Sequence, residues 1–241
     1  VSGTLPKTSA WLLDNMISQD SRDTISFAYY DGQDKVVIPD VTEMWTIEDN
    51  VHNFESSAPI YYPNPNLGVV SDNSSIIFQR QLKEINFNGG KVVLELDSTL
   101  REDPEAGKYA LNAIKVYTYD YVTSQFRLIK DIRFYKSYFI QGSNLLTKRL
   151  RLDSLAVLSG SGELLQKYRF DYNTDKILPD YTSVSKDFWG YFNGKANSSL
   201  IPQMTVPYGL GSVTIGRNLP NGRKPDNDYM QACILKRIIY P

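Results

Sequence analysis

One local pattern recurs along the chain and constrains its fold more than any other feature. A leucine is followed by one or two polar residues, an isoleucine or valine, a polar turn, and then an alternating apolar strand that often ends in Phe-x-Tyr. The first copy runs from Trp11-Leu12-Leu13 through Ile17, turns over Gln19 to Asp23, and returns as Ile25-Ser26-Phe27-Ala28-Tyr29. Period-2 alternation places Ile25, Phe27 and Tyr29 on one face. The second is Leu82 to Phe87, then Asn88-Gly89-Gly90, then Lys91 to Leu96. Asn-Gly is the strongest short-range hairpin signal, because both positions accept positive φ. A third pairs Leu111–Tyr119 with Ile129–Tyr135, and a fourth pairs Leu150–Val157 with Leu165–Tyr172 across Ser159-Gly160-Ser161-Gly162. A fifth starts at Leu235-Lys236-Arg237-Ile238-Ile239-Tyr240 and stops. Any antiparallel protein yields some hairpins of this sort. The reading adopted is a divergent repeat whose units pair edge to edge.

The implied class is all-β: antiparallel hairpin repeats in a large twisted sheet or sandwich-like arrangement, with little helix. The 17 Tyr and 10 Phe agree with it, since these side chains suit a pleated, half-buried surface. With 41% hydrophobic and 22% charged residues the chain has material for a core and is not of disordered composition. Its 241 residues read as a single β-rich unit, 1–241, with irregular excursions at 31–80 and 173–230. The first is rich in Asn, Ser and Pro, including Tyr61-Tyr62-Pro63-Asn64-Pro65-Asn66, and reads as a long loop with short strands. Residues 98–108 read as a turn or a single helical turn. The second excursion carries Pro179, Pro202, Pro207, Pro220 and Pro225. The abrupt start at Val1-Ser2-Gly3 and the end at Pro241 inside a strand-like pattern suggest a piece of a longer protein, whose remaining domains would be its first partners.

Charge and rare residues narrow the chemistry. A net charge of -1 argues against a nucleic-acid partner, despite the local run Lys148, Arg149 and Arg151. No apolar run approaches the roughly 18–20 residues that span a bilayer, so no membrane span is expected. Cys233 is the one cysteine and His52 the one histidine, which leaves no internal disulfide and no usual zinc site. A Ser-His-Asp or Cys-His site would have to use His52. Leu158-Ser159-Gly160-Ser161-Gly162 has glycines but not the strand-to-helix setting of a nucleophile elbow, and reads as a hairpin turn. Asp226-Asn227-Asp228 and Asp31-Gly32-Gln33-Asp34 fall short of a calcium loop and read as solvated turns. Carboxylates are plentiful, yet no pair stands out as a glycosidase couple. The expectation is a non-enzyme with no catalytic residues, no metal and no cofactor.

The aromatic cluster Phe188, Trp189, Tyr191 and Phe192, beside Asn193 and Gly194, is the region of chemical interest. Aromatic faces beside amides hold sugars by stacking, which makes Trp189, Tyr191 and Asn193 the candidate ligand-binding residues. The competing reading is a strand in which Phe188, Gly190 and Phe192 oppose Trp189 and Tyr191, one set entering the core, with Asn193-Gly194 as a turn. Exposure of Trp189 and Tyr191 decides between the two.

Leu178-Pro179, Ser185-Lys186-Asp187-Phe188-Trp189-Gly190-Tyr191-Phe192-Asn193-Gly194-Lys195, Asn197 and Leu200-Ile201-Pro202 together resemble a segment of large exported proteins of Bacteroidetes that carry RHS-like, or YD-repeat, regions. The family pattern is roughly L-P, S, D-W-G-Y-Y-N-G, N, L-I-P, and this chain departs from it at Phe192, where a second Tyr stands. Arg149 to Asp153 with Tyr168 to Tyr172 is similar to the strand pair before that segment. Gly216-Arg217, Asp226, Tyr229 and Leu235 to Pro241 are similar to the stretch after it. The resemblance implies a β-hairpin shell in a cell-surface or secreted, outer-membrane-associated setting. It supplies no catalytic residue. The implied role is a structural scaffold segment. The alternative is a module that binds glycans or a surface partner through the aromatic segment. Asp23-Thr24-Ile25, Asp97-Ser98-Thr99 and Asp153-Ser154-Leu155 match the O-glycosylation signal of that phylum, and also fit plain turn or strand residues.

Overall fold

Alternation along the repeat becomes one continuous antiparallel meander. The computed structural model describes residues 11–31, 34–45, 69–103, 109–140, 143–208, 211–219 and 222–241. Its strands are β1 (Asn15–Ile17), β2 (Thr24–Tyr29), β3 (Asp34–Met44), β4 (Val69–Gln79), β5 (Leu82–Phe87), β6 (Gly90–Leu100) and β7 (Tyr109–Asp120). They continue as β8 (Gln125–Phe139), β9 (Arg149–Ser159), β10 (Leu164–Tyr172), β11 (Met204–Tyr208), β12 (Gly211–Ile215) and β13 (Leu235–Ile239). The helical pieces among the described residues are one 3-10 turn, Leu145–Thr147, and one four-residue α-helix, α1 (Asn227–Met230). The protein is all-β, and no described helix is long and apolar enough to cross a membrane.

Nine strands form the main sheet in the order β1-β2-β5-β6-β7-β8-β9-β10-β13. Sequence neighbours therefore pair, except where β3 and β4 are looped out and where the irregular zone separates β10 from β13. In the β5–β6 hairpin the positive φ falls on Gly89 alone, at 80°, and Asn88 keeps an ordinary backbone. Gly90 is tight for another reason, since a Cβ there would stand 2.6 Å from the Tyr117 carbonyl of the next strand. The Ser159-Gly160-Ser161-Gly162 stretch is a hairpin turn, closed by Ser159 N–H to Glu163 O at 2.8 Å and by Gly162 N–H to Ser159 O at 3.0 Å.

Three expectations need correction. Residues 34–44 and 69–79 are not short strands in a loop: they form an eleven-residue antiparallel pair, a sheet of their own. Pro39 fits there because both members of a two-stranded sheet are edges, where a missing N–H is tolerated. The Tyr61–Asn66 run and His52 lie outside the described residues. Residues 98–100 continue β6 rather than turning, and 104–108 are outside the described residues. At the other end Leu12 and Leu13 are exposed and precede β1, which is shorter than its apolar run suggests.

Register divides the main sheet into two unlike faces. Phe27, Ile85, Val92 and Val116 stand side by side on one of them. Leu94, Ile114, Ile132 and Val157 form the next row, then come Phe134, Leu155 and Tyr168, and last Phe170 beside Ile238. The reverse face carries ion pairs: Glu84–Lys91 at 3.5 Å, Glu95–Lys115 at 2.8 Å, Asp131–Arg133 at 2.9 Å and Asp171–Arg237 at 2.9 Å. Ala113 and Ala156 are buried on this charged face because each lies directly opposite Arg133, whose long stem covers them.

Among the described strands, close backbone approach is between ladder neighbours, and at one end of the apolar face Gln79 of β4, Gln81 and Arg101 line a hollow with Phe134, Leu150 and Leu152. The buried apolar residues among those described are Val41, Ala110, Ala113, Ala156, Val213 and Ala232, none larger than valine. The four most deeply buried of the described side chains are polar, namely Asn193, Asp103, Asp187 and Ser199, and three of these lie in the irregular zone.

Candidate functional site

The aromatic segment is a hairpin finger, not a core strand. An isolated antiparallel bridge joins Lys186 to Phe192, and Asp187 N–H donates to Tyr191 O at 2.8 Å. One oxygen of the fully buried Asp187 carboxylate accepts from Trp189 N–H and from Tyr191 N–H, both at 2.9 Å. These are the amides that a neighbouring strand would otherwise have taken. Gly190 completes the reversal at φ 92°, where a side chain would be strained. The three side chains at the tip point to solvent: Phe188 is 61% exposed, Trp189 72% and Tyr191 57%. Phe192, at the base, packs edge-on against Tyr229 with ring centroids 5.3 Å apart.

Arg223 clamps the finger from below. Its guanidinium donates to the carbonyls of Lys186 (3.1 Å), Leu200 and Asp187, and lies 5.1 Å from the Phe188 ring centroid. Three carbonyls on one planar fork fix the orientation of two chain segments at once. Asn193 is not on the exposed surface with Trp189 and Tyr191. It is fully buried, donating to Lys224 O at 3.2 Å and accepting from Lys195 N–H at 3.2 Å, so its amide is spent on backbone groups. Gly194 comes next at φ 65° with the Tyr229 ring above it, 2.4 Å from where a Cβ would be. Asn197 likewise donates to Gly222 O at 3.0 Å.

The finger is tied to the β3–β4 hairpin. Glu43 accepts from the hydroxyl of Ser199 (2.6 Å), from the amides of Leu200 and Ile201 (3.1 Å to the latter) and from the Trp45 indole N–H (2.9 Å). Burial pushes its carboxyl up, and the hydrogen bonds from Ser199, Trp45, Leu200 and Ile201 more than offset this, so the net shift is downward. Lys186 adds an ion pair to Asp40 at 3.1 Å. Asp40 is also lowered, chiefly by the amide of Val41; burial opposes this, and the hydrogen bond and charge of Lys186 add to the lowering.

A cleft of about 450 Å³ opens between these parts, lined by Asp40, Arg149, Pro179, Tyr181, Lys186 and Phe192 among others. Arg149 stacks on the Tyr181 ring at 3.2 Å from its centroid and donates to Pro179 O at 3.1 Å. Burial lowers its pKa from the usual arginine range. Its donors are therefore turned to the protein rather than to the cleft. A wider hollow of about 710 Å³ lies over β9, β10 and β13, with the Arg151–Asp153 pair (2.7 Å), Phe170, Tyr172 and Lys236. Burial raises the Tyr172 phenol, helped by Asp153, and its hydroxyl donates to Leu152 O at 2.8 Å.

Other sequence candidates have structural occupations. Asp226 caps α1, accepting from the amides of Asp228 and Tyr229, and pairs with Lys195 at 3.5 Å. Among the described residues no group of three His, Cys, Asp or Glu is placed to hold a metal. Of the three glycosylation-like triplets, Thr24 and Ser98 are exposed, while Ser154 is buried on the charged face and is closed to modification. Arg223 and Glu43, which position the finger, carry no local sequence signal, because each acts on residues far away in the chain. No protein-family model, curated protein or solved structure matches the chain.

Proposed function

We propose that this chain is a scaffold segment of a large exported, cell-surface protein of the RHS-like kind, without catalysis of its own. One observation carries the reading. The main sheet is an open meander whose outermost strands, β1 and β13, each have a single ladder partner among the described strands. Such edges accept further strands. β1 has three residues and β13 carries Lys236 and Arg237, features that discourage indiscriminate pairing. Extension then calls for matched strands of the same parent chain. Hydrogen exchange tests this. The outward amides of Leu235–Ile239 should exchange quickly in the 241-residue chain and be protected when the chain is embedded in its longer parent. Equal exchange in both would sink the reading. Labelling of intact cells with an antibody against the chain tests the surface setting, and signal only after lysis would refute it.

A second reading is favoured by the finger. Trp189 and Tyr191 are exposed on a tip whose backbone is fixed by Asp187 and Arg223, a rigid aromatic anchor of the type found at binding hot spots. In this reading the finger holds a glycan or a surface partner. A glycan-array screen with a Trp189→Ala control tests it, and equal binding by both proteins would remove the finger as the site.

A further inference from the structure

The hollow over β9, β10 and β13 belongs neither to the sheet edges nor to the finger. We propose that it is a binding site for a sugar acid, a saccharide unit that carries one carboxylate.

Two irregularities of the ladder meet there. Between β8 and β9 the partners step from Tyr135↔Ser154 to Lys136↔Leu152, which leaves Asp153 as an extra residue. Between β10 and β13 they step from Asp171↔Arg237 to Tyr172↔Leu235, which leaves Lys236 as another. Bulges of this kind re-aim side chains and are over-represented next to active sites. Both extra residues line the hollow. Its volume of about 710 Å³ lies within the roughly 300–1,000 Å³ of small-molecule sites.

Arg151 is held in place before any ligand arrives. Its Nε donates to Asp153 Oδ1 at 2.7 Å and to Ser137 Oγ at 3.1 Å, and that hydroxyl donates in turn to the same carboxylate oxygen at 2.9 Å. The guanidinium also lies 5.1 Å from the Phe139 ring centroid, and Phe139 packs edge-on against Tyr172 at 5.2 Å. The two terminal nitrogens of Arg151 have no hydrogen-bond partner among the described residues. A fixed guanidinium with a free planar end matches a carboxylate.

The charges around the hollow select the ligand. Arg151, Lys236 and Arg237 stand against Asp153 and Asp171, three cations to two carboxylates, a surplus of one positive charge. Asp153 offsets Arg151, and Asp171 offsets Arg237 at 2.9 Å. The Lys236 ammonium has no partner among the described residues. One negative charge answers this surplus, whereas a dianion would be set against the two aspartates. Each aspartate uses one oxygen on its arginine, which leaves the other to accept from ligand hydroxyls. The Tyr172 hydroxyl is spent on Leu152 O at 2.8 Å, so its ring, like that of Phe170, adds apolar surface for the C–H face of a sugar. A carboxylate, hydroxyls and an apolar face occur together in a sugar acid.

Titration of the isotope-labelled 241-residue chain with methyl glucuronide, followed by nuclear magnetic resonance, tests the proposal. Saturable shifts are expected at the amides of Asp153, Thr174 and Lys236 and at the Arg151 Nε–H. Neutral methyl glucoside and inorganic phosphate should each bind at least about tenfold more weakly. Lys236→Gln alters an exposed side chain, so the fold is retained, and it should weaken binding about tenfold, with Lys236→Arg restoring it. Trp189→Ala should bind as the parent does. Free glucuronate is the companion probe: tighter binding of the methyl glycoside assigns the ligand to a glycan, tighter binding of the free acid to a small metabolite, and both uphold the site. No saturable shift at millimolar methyl glucuronide would overturn the proposal, as would equal binding of the glucoside or of phosphate, or an unaffected Lys236→Gln. Loss of binding in Trp189→Ala would also overturn it and move the ligand to the finger. Strand addition at β13 is read separately by hydrogen exchange, so the scaffold reading stands or falls independently of this titration.

Discussion

The main sheet and the irregular zone of residues 173–230 are ordered by different means. The sheet has long, regular ladders, yet its buried apolar side chains are alanines. Its order is spread over many backbone bonds and half-buried rows, none of them decisive singly. The irregular zone has few strands and three of the four most buried side chains among the described residues, all polar and each hydrogen-bonded to backbone, Ser199 to Glu43 as well. Its order is concentrated on a few residues. Single substitutions should therefore be felt strongly in the zone and weakly in the sheet.

The largest contrast is between two glycines. At Gly194 a Cβ would meet the Tyr229 ring at 2.4 Å, with φ at 65°. That ring is held by Phe192 on one side and lies under Lys176, whose ammonium is 4.9 Å from its centroid, so it has nowhere to go. Gly194→Ala should cost about 3 kcal/mol, the sum of left-handed strain and overpacking. Gly162, at φ 87° on the tip of the β9–β10 hairpin, has nothing among the described residues within 4 Å of its Cβ position. Gly162→Ala then costs only the conformational strain, about 1 kcal/mol. Urea melts of the two variants measure the difference, and equal losses would break the contrast.

Next comes Asp187→Ala, which deprives the amides of Trp189 and Tyr191 of their common acceptor. The second carboxylate oxygen has no partner among the described residues, so its removal returns part of the loss, and the net cost should be about 2 kcal/mol. Exchange of those two amides should rise at least about tenfold, as expected for local opening. In the sheet, Glu84→Ala breaks a partly exposed, long ion pair of 3.5 Å and should cost less than about 0.5 kcal/mol. Unchanged amide exchange at the finger in Asp187→Ala would show that the carboxylate does not hold it.

These residues also mark how far the sequence could be read. Alternation alone located the hairpins of the main sheet, because each pairs neighbours across a short turn. It failed for β3 and β4, where Pro39 faces Ser74 and Asn73 faces Asp40. Low strand propensity was overridden by pairing across an intervening segment. It misled at the finger, where Phe188 to Phe192 alternate like a strand but Asp187 takes up the amides and Gly190 reverses the chain. Trp189 and Tyr191 were legible as a cluster, whereas the burial of Asn193 depended on Lys224, and the clamp on Arg223, both about thirty residues on.

A smaller effect is expected from acid. The net depression of Glu43 means that its anchoring contribution is complete above the unfolded carboxyl pKa of about 4.3 and is lost as pH falls through the folded value. Glu43→Gln should lower stability at pH 6 and lose less than the parent on going to pH 3. The difference between the two acid limbs isolates Glu43 from Asp40, which is lowered in the same direction and titrates in both proteins. Parallel limbs would mean that Glu43 is not the tie between β3 and the finger.

The smallest stability effect should come from the most conspicuous side chain. Trp189 is 72% exposed, and the hydrogen bond at this residue is made by its backbone amide, which an alanine retains. Trp189→Ala should therefore change the stability read from a urea melt by less than about 0.5 kcal/mol, the usual range for surface positions. A folded, unperturbed Trp189→Ala protein is what makes any loss of ligand binding attributable to the finger. A large loss of stability instead would mean that the indole packs against the protein, and the finger would then belong with the buried polar network rather than with the molecule's outer surface.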